Sequence, residues 1–225
     1  MIDLSAVNLQ LNSLTVYRAI LQDETVSRFA RAIKAAQSGG ADAFCESYGS
    51  FLNQLSQNTG SLDFSAHLLN LIRFDDNAFT RAAARKEEGE ALRVLRKSAE
   101  FDLGILHALQ SITPADLKNV VYSHGNDSHT DWINRLPDYA SSERFLQKSP
   151  SLALAEMEEY YRANGYGVFA QYGAFRWDRS LVGIQNPDSI RLTDLKSYEY
   201  ERGLGAANTR DFLDKRGGGN LLLYG

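Results

Sequence analysis

Apolar residues recur at steps of three and four through about the first 164 positions, the period of helices that each bury one stripe. Asp23 can cap a helix whose Val26, Phe29, Ala30 and Ile33 share a face, with Gly39-Gly40 as its stop. Phe44, Tyr48, Phe51, Leu52 and Leu55 mark the next helix, which ends near Asn58-Thr59-Gly60. A third apolar stretch, residues 68–74, runs into the turn residues Asp75-Asp76-Asn77. The longest helical pattern covers about 86–112, where Leu92, Leu95, Ala99, Leu103 and Leu106 recur. Thr113-Pro114 and Ser149-Pro150 each open a further helix, because proline is tolerated at the first helical position. With no internal repeat, the pattern predicts an antiparallel helical bundle and not a solenoid.

Two stretches depart from this period. Residues 123–149 are rich in Ser, Asn, Asp and His, and read as a long loop with at most one short helix, anchored by Trp132 and Leu136. Residues 165–177, GYGVFAQYGAFRW, carry dense aromatics among three glycines and read as extended or hairpin structure. A linker with Pro187 follows over 181–190, and a new unit begins near Arg191 with a helix over 201–213 and an apolar strand over 221–224. The expected organisation is therefore a helical domain over 1–164, an aromatic extended segment and linker over 165–190, and a separate unit over 191–225.

The 225 residues suffice for one large domain or two smaller ones, and 44% hydrophobic content predicts a sizeable core. A net charge of -4 argues against sequence-independent nucleic-acid binding, which needs a dense basic surface to displace counterions. The single Cys45 rules out an internal disulfide, and Met1 is not followed by a secretory pattern, so a cytoplasmic location is expected. No apolar run has the length to cross a bilayer.

The strand at 221–224 ends on Gly225, which is how a phosphate-binding loop begins: strand, then G-x-x-x-x-G-K-[ST], then helix. Together GYGVFAQYGAFRW at 165–177, NPDSIRLTDLKSYEYER at 186–202, NTRDFL at 208–213 and NLLLYG at 220–225 resemble the bacterial AAA-type ATPases grouped as domain of unknown function 815. IRFDDNAF at 72–79 and FDLGILHAL at 101–109 extend the resemblance over most of the chain. It implies a mainly α chain in which the bundle and the aromatic segment precede the first helix and strand of a truncated α/β P-loop module. It also implies ATP and magnesium as ligands of the full-length parent, with Leu195, Ser197 and Tyr198 beside the adenine and Gly225 opening the Walker A loop. The bland alternative is that Leu195 and Tyr198 only anchor the linker to the following helix. A protein substrate or adaptor, and homo-oligomers formed through the ATPase module, are the partners such a parent would have. The chain alone is expected to be catalytically inert.

Two departures from the family pattern are visible. Ser197 precedes Tyr198-Glu199 where the family usually has glycine, and serine resists the positive φ angles that glycine accepts. Gly217-Gly218-Gly219 precedes the strand, and is expected to loosen its approach.

Other constellations admit plainer readings. His124, Asp127, His129 and Asp131 have spacing that a metal ion could use, but polar loops collect such residues anyway. Arg81, Arg85, Lys86, Arg93, Arg96 and Lys97 alternate with Glu87, Glu88 and Glu90, as on a solvated, ion-paired helix face. Cys45 reads as a core thiol. Tyr160, Tyr161, Tyr166, Phe169, Tyr172, Phe175 and Trp177 could stack single-stranded bases, but burial in a joint is the simpler expectation, and truncating Trp177 should then cost about 3 kcal/mol. The leading functional expectation is the N-terminal regulatory or substrate-recognition region of an AAA-type ATPase. A self-contained helical interaction module is the alternative.

Overall fold

The fold is that of a computed structural model, which describes residues 4–38, 40–124, 130–142, 148–194 and 196–222. The chain is mainly helical and divides into two compact units, Met1–Phe175 and Arg176–Gly225. The first unit carries α1 (Val7–Asn12), α2 (Glu24–Gln37), α3 (Ala41–Thr59), α4 (Phe64–Arg73), α5 (Ala78–Ala84), α6 (Glu90–Gln110), α7 (Pro114–His124), α8 (Thr130–Asn134), α9 (Pro150–Asn164) and α10 (Val168–Gln171). A two-stranded antiparallel hairpin, β1 (Phe175–Asp178) and β2 (Ser180–Gly183), starts at the boundary, and α11 (Glu199–Leu213) lies in the second unit.

The predicted starts of α2 and α9 rest on caps. The Asp23 carboxylate accepts the Val26 N–H at 3.0 Å, and α2 buries Val26, Phe29, Ala32 and Ile33. Ser149 plays the same part for α9, with Pro150 in its first turn. The α3 helix stops at Gly60, whose φ of 65° is the left-handed conformation that ends many helices.

The pattern read as a helix over about 86–112 is α6, which starts later than expected. Lys86 turns to φ 56°, the Glu87 N–H closes back on the Ala82 carbonyl at 3.0 Å, and α6 starts only after Gly89. The charged residues 86–88 carry no apolar side chain to hold a further turn against the core. The turn residues ahead of them hide a second helix, α5. Its start is a reciprocal cap, in which Asn77 Oδ1 accepts the Thr80 N–H and Thr80 Oγ1 accepts the Asn77 N–H, both at 3.0 Å.

Two clusters of aromatic side chains lie in the buried core. Phe29, Phe51, Phe64 and Tyr139 meet at centroid distances of 4.4–6.1 Å between α2, α3, α4 and the segment after α8. Tyr17, Phe79 and Tyr161 form the other, edge to face. Tyr161 donates its hydroxyl to the Ile72 carbonyl at 2.6 Å, which leaves its oxygen to accept from Tyr17 at 3.1 Å. Asp102, fully buried on α6, accepts the backbone N–H groups of Thr15 and Tyr17 at 2.9–3.0 Å and so ties the chain between α1 and α2 to α6.

Of the two expected anchors of the polar stretch after α7, Leu136 packs against the core and Trp132 does not. Ile133 and Tyr139 are buried, while Trp132 is 63% exposed. Tyr139 donates to the Ile112 carbonyl at 2.5 Å, and Ala140 pairs its backbone with Leu62 and Phe64. Buried Lys118 donates to the Leu136 carbonyl and to Asp138, both at 2.8 Å.

The aromatic segment is also reorganised. It forms the short helix α10 before any strand, and the hairpin falls later, with β2 running into the stretch read as a linker. Trp177 is 76% exposed, which overturns the expectation that it is buried. Among the described residues its strand belongs to a two-stranded sheet, which offers no second layer to cover the ring. The division between the units falls at residues 175 and 176, within the 165–190 stretch that sequence reading set apart.

Candidate functional site

The segment that resembles the entry to a nucleotide-binding core lies in the second unit. Residues Leu192–Asp194 form a single 3-10 turn, closed by Asp194 Oδ2 accepting the Arg191 N–H at 2.9 Å. Ser197 then adopts φ 69°. This is the left-handed region, where glycine sits freely and serine is strained. The turn is held by the Glu199 carboxylate, which accepts the Ser197 N–H at 3.3 Å, and by Arg202, which donates to the Leu192 carbonyl at 2.8 Å. Tyr198 is the N-cap residue of α11, and its ring is 64% exposed.

The fold thus places Ser197 and Tyr198 together on one tight turn. Leu195 and Gly225 lie outside the described residues. The exposed Leu192 and Tyr198 side chains give this turn apolar surface of the kind that can receive the face of a base. Cations and carboxylates interleave along the unit, so it presents no single-sign field.

At its far end α11 is followed by the three glycines, which do not form the loose approach expected of them. Asn208 accepts the Gly219 N–H at 2.9 Å and donates to the Gly219 carbonyl at 3.0 Å. Residues 221 and 222 are not in a strand, and their leucines are 51% and 81% exposed. Strand pairing needs neighbours, and the partners of a parallel sheet would have to come from outside residues 176–222.

The remaining sequence candidates fall as follows. Asp127 and His129 lie outside the described residues, and among the described residues no group of three or more His, Cys, Asp or Glu could hold a metal ion. Cys45 is half-buried against the core, and burial, then the nearby Asp42, pushes its thiol above the usual range. The four arginines of the basic run are ion-paired, three of them locally and Arg96 across to another helix. Arg96 binds the buried Glu158 of α9 at 2.6 Å, while Arg81 pairs with Asp76 at 2.5 Å and Arg93 with Glu90 at 2.6 Å.

One feature of the first unit had no signal in the sequence. A cleft of about 620 Å³ opens between the 3-10 turn Arg18–Gln22, the end of α3, α4 and α10, lined by Ile20, Asn58, His67, Asn70, Asp75 and Gln171. His67 meets Asp23 at 2.9 Å on α4 and at the start of α2. Burial raises the Asp23 carboxyl, but the hydrogen bonds from His67 and the Val26 N–H outweigh it and hold the group below its ordinary value. Asp75 is shifted the other way, because burial exceeds the help from Asn77 and the Asp76 N–H. These residues come from five separate stretches of chain, with no shared motif.

Among the described residues no helix is long and apolar enough to cross a membrane. No family model, no curated protein and no solved structure matches this chain.

Proposed function

We propose that this chain is the N-terminal regulatory or substrate-recognition region of a cytoplasmic AAA-type ATP-binding protein, followed by the first element of its nucleotide-binding core. The observation that carries this reading is the turn at Ser197. The residue that departs from the family pattern nevertheless takes φ 69°, the conformation a glycine there would adopt without strain, so Tyr198-Glu199 follow the turn that the motif calls for. On this reading Leu195, Ser197 and Tyr198 lie beside the adenine, and Gly225 opens the loop whose backbone N–H groups surround the phosphates. ATP and magnesium are then ligands of the longer protein, and the bundle is where a protein substrate or adaptor engages.

The codons that follow Gly225 test this at once. A G-K-[ST] within a few codons supports the ATPase, and replacing that lysine should abolish magnesium-dependent hydrolysis; unchanged turnover in the mutant would sink the assignment. On this reading the 225-residue chain alone should not bind ATP tightly by calorimetry, since half an adenine pocket offers almost no phosphate contacts. A micromolar dissociation constant would point to a different nucleotide site. The second reading, a self-contained helical interaction module, draws on the first unit's own core: the largest fully buried side chains all lie between Leu14 and Tyr161. A native stop codon directly after Gly225 would favour it.

A further inference from the structure

We infer that Asn208 and Gly218 form a clasp that turns the chain back along α11 and sets where Leu221 and Leu222 leave it, which makes Asn208 a positioning residue for the nucleotide-binding edge. The positioning role rests on the ATP-binding reading; the clasp does not.

The Asn208 amide carries an acceptor oxygen and a donor NH2, and with them it meets both backbone groups of Gly219, as a neighbouring strand would. Capping the helix does not require this. The end of α11 is already closed by backbone bonds from Asp214 to Arg210, from Lys215 to Phe212 and from Arg216 to Asp211.

The three glycines answer different demands. Gly217 has φ 92°. At Gly218 a Cβ would stand 2.6 Å from Phe212 Cβ and 2.9 Å from the Asn208 carbonyl oxygen, so only glycine lets the backbone lie on the helix there. At Gly219 the nearest atom to a Cβ is Asn208 Oδ1 at 3.9 Å, an ordinary contact. A flexible linker would show no such differences between neighbours. Beyond the clasp, Leu221 Cδ2 lies 3.7 Å from where a Gly205 side chain would begin. The contacts therefore step from Phe212 to Asn208 to Gly205, backwards along the helix.

Amide exchange at Gly219, read by NMR in the 225-residue chain, tests the clasp. Asn208→Ala and Gly218→Ala should each speed it about fivefold or more, the effect of losing a hydrogen bond of ordinary net strength. Asn208→Asp keeps the acceptor for the Gly219 N–H and should fall between. Gly219→Ala should leave the neighbouring amides as they are. Unchanged exchange in the first two variants, or a Gly219→Ala change as disruptive as Gly218→Ala, overturns the clasp. In the protein extended through the codons after Gly225, Asn208→Ala should weaken ATP affinity without moving the main thermal transition, and Asn208→Asp should restore part of it. Faster Gly219 exchange with unaltered ATP affinity overturns the positioning role. If the extended wild type binds no ATP while Asn208→Ala still frees Gly219, the ATP reading falls and the clasp stands.

Discussion

Tyr161 and Trp177 belong to the same aromatic run of sequence, yet one is fully buried with both sides of its hydroxyl hydrogen-bonded and the other is 76% exposed. Tyr161→Phe leaves the Ile72 carbonyl and the Tyr17 hydroxyl without their partner in the core, and should cost about 1–2 kcal/mol by urea unfolding. Trp177→Ala should stay within about 0.5 kcal/mol of wild type, as an exposed side chain does. A loss of several kcal/mol at Trp177 would mean that its ring is covered. Asp23 gives a prediction with a pH sign. Its carboxyl lies below its ordinary value of 3.8 in the folded state, so the unfolded state takes up the proton first. The stability it contributes is present above the ordinary value and is lost as pH falls through the depressed one. Asp23→Asn should therefore be less stable than wild type at neutral pH by about 1–2 kcal/mol, since its hydrogen bonds are then to a neutral acceptor in place of a charged one. That gap should close in the acid range; a gap constant with pH in a urea series would show that the carboxylate charge is not what His67 and Val26 recognise.

Among the elements, α5 shows how a short helix survives where propensity alone would not support it. Seven residues make few internal hydrogen bonds, so the reciprocal cap at Asn77 and Thr80 satisfies a large share of its free N–H groups, and the buried Phe79, Ala82 and Ala83 hold it in the core. Asn77→Ala should lower stability by about 1–2 kcal/mol, whereas Asn77→Ser, which keeps a capping oxygen, should be nearly neutral. Equal loss in both variants would place the effect in the Asn77–Asp75 side-chain bond at 2.9 Å and not in the cap. The ion pair of Arg96 with Glu158 belongs at this scale too, because it joins α6 to α9 and buries the glutamate. A run of charges that reads as a solvated face thus contributes one residue to the packing between two helices.

For the whole molecule, the two units differ in kind. The first holds the entire buried core, while none of the described residues from 176 to 222 is buried. A domain without buried apolar residues has little to set against the entropy of ordering its chain. Residues 1–175 should therefore keep the thermal transition of the 225-residue chain to within a few degrees, as followed by circular dichroism, and amides beyond 176 should exchange fastest. A truncated protein that no longer unfolds cooperatively would show that the second unit completes the core.

The sequence by itself was sufficient for features carried by local chemistry. The Asp23 cap, the glycine stop of α3, the proline-led helices and the apolar stripes all act within one or two turns, so spacing alone reveals them. The same holds for the left-handed turn at residue 197 only in part: the motif marks its place, but serine there argues against the φ that the chain adopts. The tertiary structure alone decided which aromatics are covered, why Tyr139 and not Trp132 anchors the polar stretch, and how His67 reaches Asp23. It also decided that Gly218 is a close-contact residue in place of a loose joint. Each of these depends on residues brought together from distant parts of the chain, and a one-dimensional period carries no information about which stripe faces which.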